Sequence, residues 1–136
     1  MNRQEHKIPG LPEPISHYTD VVTYGGLAYL SGFIALDAQG RVVGGDDAAA
    51  QTRFVLHQIG AALSAVGSSP EHVLRMNVYL TDIADRASIN PPRQEFFGET
   101  RPASTLVEVA ALVVPQCRVE IEVVAAVPEQ GAGIRA

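Results

Sequence analysis

The stretch RVEIEVVAAV, residues 118–127, constrains this chain more than any other. Val119, Ile121, Val123, Ala125 and Val127 fall on one face of an extended strand, and Glu120, Glu122, Val124 and Ala126 on the other. A strand this apolar belongs inside a sheet, where a carboxylate needs a partner or a cleft to offset its desolvation. Two readings follow. Either the glutamate face is solvated and both acids are surface residues, or one carboxylate faces a cleft, with a pKa raised toward neutrality that suits it to hold or deprotonate a water.

The rest of the chain supplies what surrounds such a strand. At 136 residues and 46% hydrophobic composition it can bury one core without disulfides or metal, which predicts a single domain over 1–136. Residues 1–15, rich in proline and polar groups, are expected as a loose arm, and 128–136 as a frayed tail. TDVVTYGGLAYLSGFIA (19–35) reads as two strands about a tight turn at Gly25-Gly26, and Arg41-Val42-Val43 as a brief third. From Asp46 the period changes: Thr52, Val55, Ile59, Ala62, Leu63 and Val66 share one helical stripe, with Gln51, Gln58 and Ser64 off it. Asp46 or Asp47 caps the start and Gly67 the end.

VLRMNVYLTD (73–82) returns to alternation, with Leu74, Met76, Val78 and Leu80 on one face. Ile83–Gly98 is helical in composition, but Pro91-Pro92 predicts a restart there with Asn90 as the cap. Thr105–Ala110 is a strand, and a turn at Pro115-Gln116 leads into Arg118–Val127. The order ββ(β)αβαββ is an α+β layer of two helices on a mixed sheet.

Ten basic against fifteen acidic residues, net −5, provide no basic field for nucleic acid. The single Cys117 suits a reducing compartment. The N-terminus lacks the apolar core of a signal peptide, and no apolar run reaches membrane-spanning length, so the expected location is cytoplasmic with no membrane partner. The four histidines show no metal-binding spacing, so no metal is expected. Nor is there a GxSxG elbow, a P-loop or a GxGxxG fingerprint, which leaves acyl, phosphoryl and hydride transfer without a motif. Ser31-Gly32 interrupts an apolar strand and marks a bulge or a close ligand approach. Tyr18 reads as an amphipathic surface aromatic, and Asp85, Arg86, Arg93, Glu95 and Glu99 as a solvated helix face.

Tyr18, YLSGFIAL (29–36), QTRFVLHQIGAAL (51–63), MNVYLTDIAD (76–85), EFFGETRPAS (95–104) and VEIEVVA (119–125) together, and in that order, resemble the Rid family of reactive intermediate deaminases, also called YjgF/YER057c/UK114. The resemblance implies a chorismate-mutase-like α+β fold, with two helices on one face of a mixed sheet and a homotrimeric barrel whose clefts lie between subunits. It also implies cofactor-free hydrolysis of an enamine or imine to a carbonyl product and ammonia. Glu120 matches the residue that positions the water. Ser31 and Gly32 match the backbone wall of the cleft, Tyr18 an aromatic at its mouth and Asn90 an asparagine at its rim. Phe33 stands where the archetype often has glutamine, implying a less polar cleft.

One departure matters most. The archetypal Pro-Ala-Arg-Ser, whose arginine grips the substrate carboxylate, is here Pro102-Ala103-Ser104-Thr105, so Ser104 holds the arginine position. Losing a charge-assisted pair costs about 1.5–3 kcal/mol. Arg101 and Arg118 are the candidates to reach in instead. The implied function is a deaminase for a small reactive metabolite other than 2-aminoacrylate, or a non-catalytic trimer that binds a small metabolite or regulates a partner. The endoribonuclease label sometimes given to this family sits poorly with the acidic balance.

Overall fold

RVEIEVVAAV takes the interior place its composition demands. In this computed structural model, which describes residues 2–128, Val119–Ala126 is strand β6 of a six-stranded sheet ordered β1-β2-β3-β6-β4-β5. The other strands are β1 (Gln4–His6), β2 (Val21–Tyr24), β3 (Leu27–Leu30), β4 (Val73–Leu80) and β5 (Ala103–Glu108). The helices are α1 (Ala48–Ala65) and α2 (Arg86–Phe97). Every neighbouring pair is antiparallel except β4 and β5, and α2 supplies the crossover that a parallel pair requires.

Val119, Ile121, Val123 and Ala125 turn toward the helices and are buried with Met76, Val78 and Leu80 of β4, Val55, Ile59 and Leu63 of α1, and Ile89 of α2. Gly25 and Gly26, at φ 60° and 80°, close the β2–β3 hairpin in a turn whose twist suits the strands. Asp47 caps α1 by accepting from the backbone N–H groups of Ala49 and Ala50.

Several expectations are corrected. The N-terminal segment is no loose arm: Gln4–His6 pairs with β2, and the Ile8 amide donates to buried Asp20 at 2.8 Å. The tail expected at 128–136 lies outside the described residues except for Pro128. Arg41–Val43 makes only one bridge, Leu36 with Val42, and the last two strands begin and end within two residues of their expected bounds. Leu74 leaves the core face and is 50% exposed, because one step along β6 from Ala125 to Val124 faces two along β4 from Val73 to Arg75.

Gln51 and Gln58, off the apolar stripe, are buried nonetheless. Gln51 donates to the carbonyls of Gly45 and Gln116 and accepts from the Arg118 amide, while Gln58 donates to the Leu36 carbonyl. Both satisfy loop backbone that would otherwise be stranded in the core. Helix α2 does not restart at Asn90. It runs through Pro91 and Pro92, and the carbonyls they leave unbonded belong to Ala87 and Ser88, exposed residues whose partners can be water. Asn90 is therefore a mid-helix residue and not a cap.

Candidate active site

Strand β3 ends at Leu30, and the chain rejoins β6 at Phe33. From Tyr29 opposite Val124 to Phe33 opposite Ile121, four steps on one side face three on the other, so Ser31-Gly32 is a bulge. Phe33 and Ile121 exchange both backbone hydrogen bonds, at 2.8 and 3.1 Å, and this pins the bulge against Glu120. A Cβ built at Gly32 would overlap the Glu120 carboxylate, so any side chain there would push the Glu120 side chain out of its present position. Ser31 is held by its hydroxyl on the Thr19 carbonyl at 2.6 Å and by its amide on the Asp20 carbonyl at 2.9 Å.

These residues open on a cavity of about 420 Å³. Tyr18, Ser31, Gly32, Phe33 and Glu120 all line it, so five of the residues singled out in the sequence are brought together. Phe33 also belongs to the core, and Tyr18 is 44% exposed.

Glu120 and Glu122 share the sheet face away from the helices but have different surroundings. Glu122 accepts from Tyr79 Oη at 2.6 Å and Asn77 Nδ2 at 3.1 Å, and that bond raises the Tyr79 pKa. Glu120 is half-buried and accepts no hydrogen bond among the described residues. Its desolvation raises its pKa, and the neighbouring Glu122 charge adds to the shift. The result is a carboxylate of enhanced basicity with its lone pairs free, facing a cavity.

Asn90, Arg101 and Ser104 do not line this cavity. Asn90 is on α2, and Arg101 and Ser104 lie at the start of β5, the outer strand. Arg101 is exposed. Arg118 does not turn toward Glu120 as a substitute clamp: its guanidinium is held at 2.9–3.0 Å by Asp46 and Asp85. The helix face read as solvated is only partly so, since Asp85 and Arg93 are half-buried. Sequence reasoning missed Leu11, Glu13, Ile15, Gln58 and Val113 as cavity residues. For Gln58 there was a signal, a polar side chain beside an apolar helical stripe. For the N-terminal wall and Val113 there was none, because loops carry no periodicity.

Among the described residues no group of three or more His, Cys, Asp or Glu side chains could hold a metal ion, and no helix is long and apolar enough to cross a membrane.

Residues 10–127 match the family described as Endoribonuclease L-PSP. The chain is 41% identical to the 3-aminoacrylate deaminase RutC of Acinetobacter baylyi over 116 residues, 85% of this chain and 91% of that protein. Its fold is similar to that of YyfA of Yersinia pestis, a structure described as of the conserved Rid protein family, with a TM-score of 0.86, 30% identity and coverage of 93% of this chain and 100% of that one. It is also similar to RidA from an Antarctic Psychrobacter, with a TM-score of 0.81, 31% identity and coverage of 90% and 99%. With the family matched over nearly the whole chain and the same α+β sheet built around it, this protein belongs to the YjgF/Rid family.

Proposed function

We propose that this protein is a Rid-type deaminase that hydrolyses a small enamine or imine to a carbonyl compound and ammonia, with Glu120 as the catalytic residue. The observation that carries the reading is the half-buried Glu120 carboxylate, free of protein hydrogen bonds and of raised pKa, at the wall of a cavity closed by Gly32. The RutC relative, named as a 3-aminoacrylate deaminase, supports the same reaction class.

The chemistry needs only a positioned water and a proton carrier. The enamine tautomerises to its imine, and Glu120 accepts a proton from a water as the oxygen adds to the C=N carbon. The protonated carboxyl returns that proton to nitrogen, giving the carbinolamine; Glu120 then takes the hydroxyl proton and passes it to the amine, so that C=O forms as ammonia leaves. Overall one C=N and one water become one C=O and one NH3, with no redox change. A raised pKa suits a group that must both take and return a proton near neutral pH. The Gly32 amide, which no described residue accepts, is a donor for the developing oxygen or nitrogen, and Tyr18 covers the mouth.

Chains of this family reading assemble as a homotrimeric, chorismate-mutase-like barrel, and the Asn90, Arg101 and Ser104 region then belongs to a cleft completed by another copy. The unpaired outer edge of β5 supports such an assembly. Ser104 in place of an arginine points to a substrate other than 2-aminoacrylate.

The test is to generate imines in situ with amino-acid and amine oxidases and follow their decay by semicarbazide trapping. Accelerated decay with wild type and loss of it in Glu120→Gln supports the reading. No acceleration with any imine, alongside retained metabolite binding, replaces it with a non-catalytic binding protein.

A further inference from the structure

The Glu120 cavity is lined by Glu13, Asp20, Glu120 and Glu122 and by no Arg, Lys or His. Lys7 Nζ lies 3.8 Å from Glu13 and from Asp20, but no described cation is paired with Glu120 or Glu122, so an anionic substrate would be repelled at that end unless a cation came from elsewhere. At the outer β5 edge of the sheet the situation is reversed. Arg93, in the middle of α2, is half-buried, and its Nη2 donates to Ser104 Oγ on β5 at 3.0 Å. Among the described residues no carboxylate lies within 4.0 Å of its guanidinium; Arg75, Arg86 and Arg101 lack one too but are exposed, whereas the half-buried Arg118 is paired with Asp46 and Asp85.

A guanidinium presents five N–H donors in a planar fork, so one bond to a neutral hydroxyl leaves an edge able to take a carboxylate bidentately. Burial without a counter-ion depresses the Arg93 pKa, the mark of a desolvated cation lacking its anion. Asn90, one helical turn earlier on the same face of α2, is half-buried too, and its amide makes no hydrogen bond among the described residues. A serine at 104 leaves room for the Arg93 side chain, which a long residue there would occupy.

We propose that Arg93, oriented by Ser104 Oγ, is the anion-recognition group of this protein and grips the carboxylate of a small imine or enamine, reaching from one copy of the chain to the Glu120 cavity of another. The inference rests on the deaminase reading and deepens it. The substrate keeps a carboxylate, and the cation that holds it is delivered by helix α2, so the distance between carboxylate and C=N differs from what a cation on β5 would select. Arg93 positions substrate and takes no part in proton transfer.

The experiment compares Arg93→Gln, Arg93→Lys and wild type on two probes: the imino acid formed from L-leucine by an L-amino-acid oxidase, and the uncharged imine formed from benzylamine by an amine oxidase. Arg93→Gln is expected to raise KM for the imino acid about ten- to a hundredfold, the loss of one charge-assisted pair, with kcat little changed. The uncharged imine is unaffected, and Arg93→Lys recovers part of the loss. An unchanged KM for the imino acid, or equal losses on both probes, overturns the proposal.

Calorimetric binding of 4-methyl-2-oxopentanoate keeps the two readings separable. Glu120→Gln should retain this affinity and Arg93→Gln lose it, whether or not any imine is turned over, and equal affinity in both variants also overturns the proposal. Refolding Glu120→Gln and Arg93→Gln chains together should restore turnover at clefts that combine one intact residue from each. Absence of any recovery overturns the contribution of a second copy.

Discussion

The middle of the sheet, at the β3–β6 junction, and its β5 edge differ in a way that neither explains alone. Around the β3–β6 bulge four acids gather, Lys7 lies 3.8 Å from Glu13 and from Asp20 only, and Glu120 is left without a donor. On the α2–β5 edge, Arg93 is left without an acid and donates to a neutral hydroxyl. Arg53 is paired with Glu95, and the half-buried Arg118 with Asp46 and Asp85; Arg75, Arg86 and Arg101, which have no carboxylate partner, are exposed to water. A partly buried charge without a counter-ion costs stability, so Glu120 and Arg93, of opposite sign, are candidates for groups kept available for something outside the chain.

Breaking the acidic half should have the largest effect. Glu120→Gln removes the base while keeping the shape, and imine hydrolysis should fall by about a hundredfold to ten thousandfold in kcat. The same variant sharpens the electrostatic argument. The folded-state pKa of Glu120 lies above its ordinary value of 4.5, so the native state binds this proton more tightly than the unfolded chain. Its contribution is most favourable at low pH and is lost as pH rises through the folded value. Glu120→Gln should therefore raise Tm relative to wild type at pH 7.5, with the gain vanishing near pH 4, measured by thermal melts across that range.

Gly32→Ala should come next, because the added Cβ meets the Glu120 carboxylate. Because the obstacle is a flexible, half-buried side chain, a destabilisation of at most about 1 kcal/mol is expected in denaturant melts, with activity largely lost as Glu120 is displaced. Combining it with Glu120→Ala should recover most of the stability and none of the activity. On the basic half, Ser104→Ala removes the hydroxyl that orients Arg93, and a few-fold rise in KM for imino acids is expected, well short of the effect of Arg93→Gln.

The smallest effect distinguishes the two glutamates. Glu122→Gln removes the neighbouring charge but keeps an oxygen for Tyr79 and Asn77. The acidic limb of kcat/KM, set by ionisation of Glu120, should move to lower pH. A limb that stays in place would mean that desolvation alone raises the Glu120 pKa.

Much of the frame was legible in order. Strict alternation identified β6, the Gly25-Gly26 pair a hairpin, and the stripe from Thr52 to Val66 the helix α1, because periodicity reports directly which face is buried. Leu74 was misread because a bulge adds a residue without changing composition. Asn90 was misread because the carbonyls that Pro91 and Pro92 leave unbonded belong to the exposed Ala87 and Ser88, where water can take the place of the missing N–H groups. Glu120, Ser31, Gly32, Phe33 and Tyr18 could be singled out from the chain as strand anomalies or by resemblance, and the fold brings them to one cavity.

The sequence by itself determined the elements, the apolar face of β6 and the presence of two glutamates on its other face, since these depend on spacing along one strand. Only the tertiary structure decided which glutamate is free. Tyr79 and Asn77 come from β4 and satisfy Glu122, while the bulge beside β3 packs against Glu120 and offers it no donor. It likewise decided that Arg93 meets Ser104, eleven residues away across a helix-to-strand crossover that no local pattern encodes.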